Sequence, residues 1–589
     1  MNISKKLLIR FFIFIYCYTL FFQFGLLQTW RVLPALNRLP SLLIIAAIGI
    51  VITLLGWFLS REMNREQAEH REIVSVRLRD LFSVIGLLAL TVVSWRVWSY
   101  PFLSGIIGTW GDEDFHFGMT SLVSGYLAQY FHGEIPGHMA PSALRYPDAM
   151  LILNTLFVNP FFGNQDNSFW HRFPLLIPYL GLVVIVYAVA LNILRDFRAS
   201  LLLSLPIAVC PIMLSLTSEK YLDVGHPFFF FLASFFLYEA IRTSDFRMAI
   251  LSGLSSGFLS LIRDNSAPTT MLYGGALLLL GFMGSEADLF RKLRNAVVPF
   301  LAATVPFVMF YFLKQKTTNI DVDRLRLANV FEQDYILFFR MAVIYLPIPS
   351  VLGIFAFFHG TVRHNFAILV IFGSLVAQLM IYGLFQPGWM PWTRNYMMFL
   401  GQALFMGLLA IHQLIQFAKK LRPALLAISV FGLGLNVFVG ATELGRNRIF
   451  HENENRFAYD QLMLFLAENQ TEFGNETLYL HVPIEIPTSF EKAVQTANVR
   501  FRFWPVYFDE QKVSFNNFMG FEDFIQRLPS DFRYLIYCWR NPQTLSMVIN
   551  NYPHPQKPSS EQLKNYRVLL EAIDPWSEGR YGLMLLQKI

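Results

Sequence analysis

Charged residues are scarce in this chain of 589 residues: Asp, Glu, Lys and Arg together make up 15%, against about a quarter in a soluble domain. That deficit excludes an ordinary cytosolic enzyme, and the apolar content excludes a disordered protein or a fibre. Cysteine is scarcer still. Cys17, Cys210 and Cys538 share no ligand spacing and frame no disulfide scaffold. Cys17 and Cys210 lie in apolar runs, where a small thiol acts as a buried hydrophobe. Internal repeats and low-complexity tracts are absent from the sequence. A signal-peptide core is missing too: the first apolar run, Leu7 to Leu27, is too long for one and has no small-residue cleavage site. It is expected to be a retained span.

Apolar residues are what the chain has in quantity, at 54%, with 59 Phe. The sequence reads as a mainly α, polytopic transmembrane bundle. Runs at 7–27, 41–60, 81–100, 173–194, 199–216, 226–241, 248–262, 269–284, 296–313, 337–358, 366–385, 396–415 and 424–441 give about 13 spans. The net charge, 47 basic minus 41 acidic residues or +6, gives no sign of a nucleic-acid partner. Its distribution is informative. With the N-terminus cytoplasmic, the inner segments carry 19 Lys and Arg in 61 residues and the outer ones 11 in 132. Basic residues collect on the cytoplasmic side, so this orientation is the expected one. An odd number of spans then puts everything beyond about Gly440 outside.

Three regions follow from this walk. Residues 1–80 hold two leading spans and a basic cytoplasmic loop. Residues 81–441 form the main membrane module, with a large outer loop at 101–172. Within that loop, Phe115–His132 and Tyr146–Phe162 read as helices lying in the interface plane. Residues 442–589 alternate helical stretches (Arg456–Glu468, Phe521–Leu528) with strand-like ones (Leu478–Val482, Val499–Phe508, Tyr534–Trp539, Tyr581–Leu586). They read as a small extracytoplasmic α/β domain.

The polar chemistry sits at the outer ends of the spans. Trp110-Gly-Asp112-Glu113-Asp114-Phe-His116-Phe-Gly118 puts three carboxylates in a row, which suits either a cation or a general base, or else the start of a helix. Thr217-Ser-Glu219-Lys220-Tyr221-Leu-Asp223-Val-Gly225-His226 is a polar island between two apolar runs, and Asp223 alone would pass for a helix cap. Leu261-Ile-Arg263-Asp264-Asn265 fills a tight outer turn, where Arg263 could simply pair with Asp264. Trp389-Met-Pro-Trp392-Thr-Arg394-Asn395-Tyr396 mixes an arginine with what could be an aromatic belt. Together these loops place acids and arginines on one membrane face. Such a set suits an acceptor that loses a proton and a donor that departs as a phosphate.

These motifs resemble the GT-C glycosyltransferases, in particular protein O-mannosyltransferases and the lipid A aminoarabinose transferase. Asp112-Glu113 resembles the acidic signature that opens the first large outer loop. Glu113-Asp114-Phe-His116-Phe-Gly118 is similar to the Asp-Glu-x-His-Phe-Gly string with its acids exchanged. Aligned on Asp112-Glu113 instead, one residue is inserted before the His. Leu222-Asp223 resembles the second-loop Asp. The stretch from Gly253 to Arg263 resembles a Gly-rich span ending in a basic residue, and Arg394-Asn395-Tyr396 resembles the late Arg-Tyr motif with one insertion. The resemblance runs from about 95 to 440, and the two leading spans look like an addition to it.

The resemblance implies a transferase that takes a sugar from a polyprenyl-phosphate donor to a hydroxyl of a lipid, glycan or protein acceptor. Asp112 would be the base, with Glu113 and Asp223 beside it. Arg263, Arg394, Tyr396, His226 and Lys220 would bind donor phosphate or substrate. Some members bind a divalent cation; Asp112, Asp223 and His226 could do so here, and the metal stays open. The expected location is a bacterial inner membrane, with the site and the last domain periplasmic. Two other classes compete. A transporter or flippase of a lipid-linked or anionic substrate would place charges at mid-span, where only Arg340 and His412 are clear, Arg96 lying near an outer end, and its halves would commonly repeat. A polysaccharide polymerase or ligase would usually lack this early acidic loop.

Overall fold

The computed structural model describes residues 2–4, 73–75, 78–103, 168–218, 222–243, 245–262, 327–332, 335–355, 395–417, 456–473, 476–481, 500–503, 520–540, 556–573 and 581–589. Scattered helical positions at 120, 150, 154, 157, 299–301, 303–304, 371–373, 375–376, 378–380, 423–424, 427–428 and 430–438 are also described. The chain divides into two compact units, one of residues 1–99 and 116–440, the other of residues 100–115 and 441–589.

The first unit opens with β1 (Asn2–Ser4) paired antiparallel to β2 (Ile73–Ser75). Helices follow: α1 (Leu78–Leu103), α2 (Ser168–Leu194), α3 (Phe197–Ala208), α4 (Pro211–Ser218), α5 (His226–Thr243) and α6 (Phe246–Leu259). Beyond them come α7 (Leu327–Glu332), α8 (Tyr335–Tyr345), α9 (Ile348–Phe355) and α10 (Tyr396–Phe417). Among the described residues, α1, α2 and α10 are each long and apolar enough to cross a membrane, and the pair α3–α4, bent by 48°, adds a fourth candidate. This is an integral membrane protein. The expected spans at 7–27, 41–60 and 269–284, and most of the two interfacial helices, lie outside the described residues.

Two of the expected spans are broken helices, and local chemistry explains both. The 199–216 run bends at Val209–Cys210, flanked by Pro206 and Pro211, because a proline ring cannot continue the i−4 ladder. The 337–358 run breaks at Leu346–Pro347 between α8 and α9. Carbonyls at the breaks are met by side chains: the Tyr179 hydroxyl donates to Ile207 (2.7 Å), Asn436 Nδ2 to Leu346 (3.2 Å) and the Cys210 thiol to Tyr345 (3.8 Å). Backbone freed inside a bilayer has to find such partners. The short turns at the opposite end are capped by aspartates. Asp196 accepts from the backbone N–H of Arg198 and Ala199 (2.9 and 3.2 Å), and Asp245 from that of Arg247 (2.9 Å).

The second unit contains α11 (Arg456–Glu468), α12 (Gln470–Phe473), β3 (Thr477–Leu480), β4 (Arg500–Phe503), α13 (Phe521–Arg527), β5 (Tyr534–Arg540), β6 (Tyr566–Ile573) and β7 (Tyr581–Lys588). The sheet order is β4-β3-β5-β7-β6, with β3 parallel to β4 and β5, and β7 antiparallel to β5 and β6. Alternate residues of β5 bury opposite faces. Tyr534, Ile536 and Cys538 join Leu462 and Leu466 of α11, while Leu535, Tyr537 and Trp539 join Phe521 and Phe524 of α13. A central strand covered on both faces reads as a continuous apolar run, which is what Tyr534–Trp539 is.

Candidate functional site

Helix directions sort the polar loops. The start of α1 meets the end of α2 and the start of α3 at one end of the bundle: Tyr187 Oη donates to Asp80 (3.3 Å), and the Arg79 guanidinium lies over the Phe197 ring (4.1 Å). From there α3 and α4 run to the other end, α5 returns, and α6 runs out again. α10 travels alongside α5 in the same sense, since Gly401 packs on Pro227 and Phe405 on Phe231 and Phe235. The far end therefore gathers the start of α2, the end of α4, the start of α5, the end of α6 and the start of α10.

Contacts at that end join the loops directly. Arg172, buried in the first turn of α2, donates from Nη1 to the carbonyl of Ser218, the last residue of α4. Three residues later a 3-10 turn, Leu222–Gly225, carries Asp223, which is half-buried. This turn touches α2, α5 and α10. Gly225 is wedged against Met150 of the large outer loop and Ile262 beyond α6; a Cβ there would lie 2.7 Å from the Met150 sulfur and 3.4 Å from Ile262 Cδ1. A larger residue there would have to displace the Met150 side chain. His226 opens α5, fully buried, with its ring 5.1 Å from that of Phe230 one turn on.

Tyr396, at the start of α10, is fully buried, stacked on Phe338 (4.9 Å between centroids) and edge-on to Tyr345 (5.2 Å). Its hydroxyl donates to the Phe338 carbonyl at 2.9 Å. That hydroxyl holds α10 to α8. Asn395 beside it is buried as well.

Of the residues singled out from the sequence, Asp223, His226 and Tyr396 are thus brought to one end of the bundle. Asp112, Glu113, Lys220, Arg263 and Arg394 lie outside the described residues. Arg263 directly follows Ile262 in the chain, and Arg394 directly precedes Asn395. Among the described residues no three His, Cys, Asp or Glu side chains gather as a metal-binding group. Sequence reasoning passed over Arg172 and His171, both buried at this end. One signal was available: Arg145 and Arg172 are the only basic residues between 101 and 172, and Arg172 stands directly before an apolar run.

No protein-family model and no curated protein matches this sequence. Among solved structures, the fold is similar to that of ArnT from Cupriavidus metallidurans bound to undecaprenyl phosphate, at 14% identity and a TM-score of 0.42, over 85% of this chain and 97% of that one. The apo state of the same protein gives the same values. It is also similar to the Archaeoglobus fulgidus oligosaccharyltransferase, a complex with Zn and sulfate, at 11% identity and a TM-score of 0.47, over 84% of this chain and 72% of that one. Both are GT-C glycosyltransferases, and ArnT is the lipid A aminoarabinose transferase, one of the enzymes that the motifs resemble.

Proposed function

We propose that this protein is a GT-C-type glycosyltransferase that moves a sugar from a polyprenyl-phosphate donor to an acceptor hydroxyl at the outer face of a bacterial inner membrane. One observation carries the reading. Segments that flank four separate polar loops meet at a single end of the helical unit, through Arg172 on Ser218, Gly225 between Met150 and Ile262, and α10 against the Asp223 turn.

In the proposed reaction Asp112 takes the proton of the acceptor hydroxyl. The acceptor oxygen forms a bond to the anomeric carbon as the bond from that carbon to the phosphate oxygen breaks. The lipid phosphate departs with the electron pair. Arg263, Arg394 and Lys220 stabilise the charge that develops on it, and Asp223 orients the acceptor or sugar. Tyr396 acts through Arg394, because its own hydroxyl is engaged by the Phe338 carbonyl. Glu113 and His226 support the acidic loop and the Asp223 turn, and a divalent cation held by Asp112, Asp223 and His226 would fit that donor set. Residues 442–589 serve as an outer domain that presents the acceptor.

The rival transporter reading relies on broken helices that expose backbone to a substrate. Here the carbonyls at both breaks already receive Tyr179, Cys210 and Asn436, which favours a structural use of the breaks. The test is Asp112→Asn in reconstituted membranes supplied with polyprenyl-phosphate sugars. Transfer should fall by about 10²-fold or more with unchanged insertion. Full transfer by that variant rejects Asp112 as the base.

A further inference from the structure

Helix α8 (Tyr335–Tyr345) carries two opposed stripes. Phe338, Ala342 and Tyr345, at helical spacing, are buried against the bundle. Ile336, Arg340 and Val343, at the same spacing, face away from it and are exposed. Ile336 is 83% exposed, and Phe331 on the preceding α7 is 82% exposed. The Tyr335 hydroxyl ties the two helices together by donating to the Val330 carbonyl (2.8 Å). Large apolar side chains so uncovered in a membrane protein point to lipid rather than water. The Arg340 guanidinium, set among them, has no ion-pair or hydrogen-bond partner among the described residues. It stays charged in any surroundings.

The depth of this face follows from α10. Phe338 and Tyr345 flank one ring, that of Tyr396, at 4.9 and 5.2 Å between centroids. Arg340 lies between them in the chain, so it is level with the first residue of α10. α10 is long and apolar enough to cross a membrane, and the start of a span is where hydrocarbon gives way to headgroups. α8 itself, with 11 residues or roughly 16 Å of length, is too short to cross.

We infer that α8 lies at the headgroup boundary and that Arg340 binds the phosphate of a membrane phospholipid, whose chains cover Ile336, Val343 and Phe331. Such a lipid supplies both things that this face lacks. Its phosphate offers anionic oxygens to the guanidinium fork, and its chains offer hydrocarbon to the aliphatic side chains. Water would satisfy only the arginine, and the bilayer centre only its neighbours. Arg340, which hydropathy puts inside a span at 337–358, thereby sits at the membrane's edge. The inference does not depend on the transferase reading. It gives Tyr396 a fixed depth, level with lipid phosphates.

Two measurements on the full chain test this. In detergent, added phosphatidylglycerol should raise the melting temperature of the wild type more than that of Arg340→Ala. Losing one charge-assisted contact weakens affinity by about tenfold, while phosphatidylglycerol held elsewhere contributes equally to both proteins. Diacylglycerol with the same chains and no phosphate should act alike on the two. Arg340→Lys keeps the charge without the fork and should fall between them. Equal shifts with phosphatidylglycerol, or the same difference with diacylglycerol, overturn the inference. The second measurement is solid-state NMR in phosphatidylglycerol bilayers. The guanidinium carbon signal present in the wild type and missing from Arg340→Lys should be dephased by phosphodiester phosphorus. An undephased signal overturns the inference. So does dephasing only by the phosphomonoester of added undecaprenyl phosphate, which would make this a donor site instead. This measurement decides the matter if Arg340→Ala does not fold. A second copy of the chain is the other conceivable occupant, and an oligomer in nanodiscs that Arg340→Ala dissociates would likewise overturn the phospholipid assignment.

Discussion

Where α9 meets α10, Gly353 faces the Ala403 carbonyl and Gly407 faces the Pro349 carbonyl, so the two backbones touch with no side chain between them. Where β5 meets α13, Tyr537 lies edge-on to Phe521 at 5.0 Å and flat on His481 at 4.5 Å, so rings fill the space. The outer surfaces differ in the opposite sense. On α1, Phe82, Val93 and Val97 are each at least 60% exposed. The sheet unit instead shows ion pairs such as Arg533–Glu476 (2.7 Å) and Lys564–Glu561 (3.2 Å). Each unit is built for its own solvent. In lipid, helices gain little by hiding apolar area and associate through close packing and buried polar bonds. In water, removing apolar area is the main driving force.

The sharpest way to break this contrast is Gly407→Leu. A side chain there must overlap the Pro349 carbonyl, which is backbone and cannot swing aside. The cost should be about 3 kcal/mol or more, seen as loss of a monodisperse peak after solubilisation. Leu585→Ala, in the core between sheet and α11, should cost about 2–5 kcal/mol. A denaturation profile in which only the sheet unit melts earlier would sharpen the contrast, and joint melting would blur it. Tyr396→Phe removes one buried hydrogen bond between α10 and α8 and should lower stability by about 1 kcal/mol, read as a shifted melting temperature.

The smallest effect at neutral pH is expected for Tyr537→Phe. Its hydroxyl is buried, with no hydrogen-bond partner among the described residues, so its removal should be neutral or slightly stabilising. Burial, with smaller contributions from Cys538 and Asp523, raises the pKa of this phenol above its ordinary value of 10.0. The folded state then holds the proton more tightly than the unfolded one. That contribution is complete below pH 10 and is lost as pH climbs past it, so alkali should destabilise the wild-type sheet unit more than the variant. Denaturant midpoints at neutral and alkaline pH check this.

Particular elements show how far the sequence could be read. The helix at Arg456–Glu468 has the bounds that its periodicity suggests, and β5 and β7 begin where their apolar runs begin. Strand β6 was not recognised, because it sits at the sheet edge, largely unburied, and a register shift between Val568 and Leu570 interrupts its two-residue period. The apolar run at 199–216 located a candidate membrane-crossing helix pair and hid its bend, and that at 337–358 hid the break between α8 and α9, since hydropathy averages over a bend. At the candidate site, Asp223 and His226 could be singled out because polar residues are conspicuous between apolar runs. Arg172 had only the weaker signal of its scarcity in the outer loop, because an arginine at a span end looks like an interface anchor until its contact 46 residues away is known. The late Arg-Tyr motif points to Tyr396, and a sequence motif does not reveal that its hydroxyl donates to a main-chain carbonyl.

The small ladder formed by Asn2–Ser4 and Ile73–Ser75 has a bearing on how the chain could be shortened. Both of its strands lie ahead of α1, so cutting the gene just past Ser75 would discard them as a pair and strand neither edge.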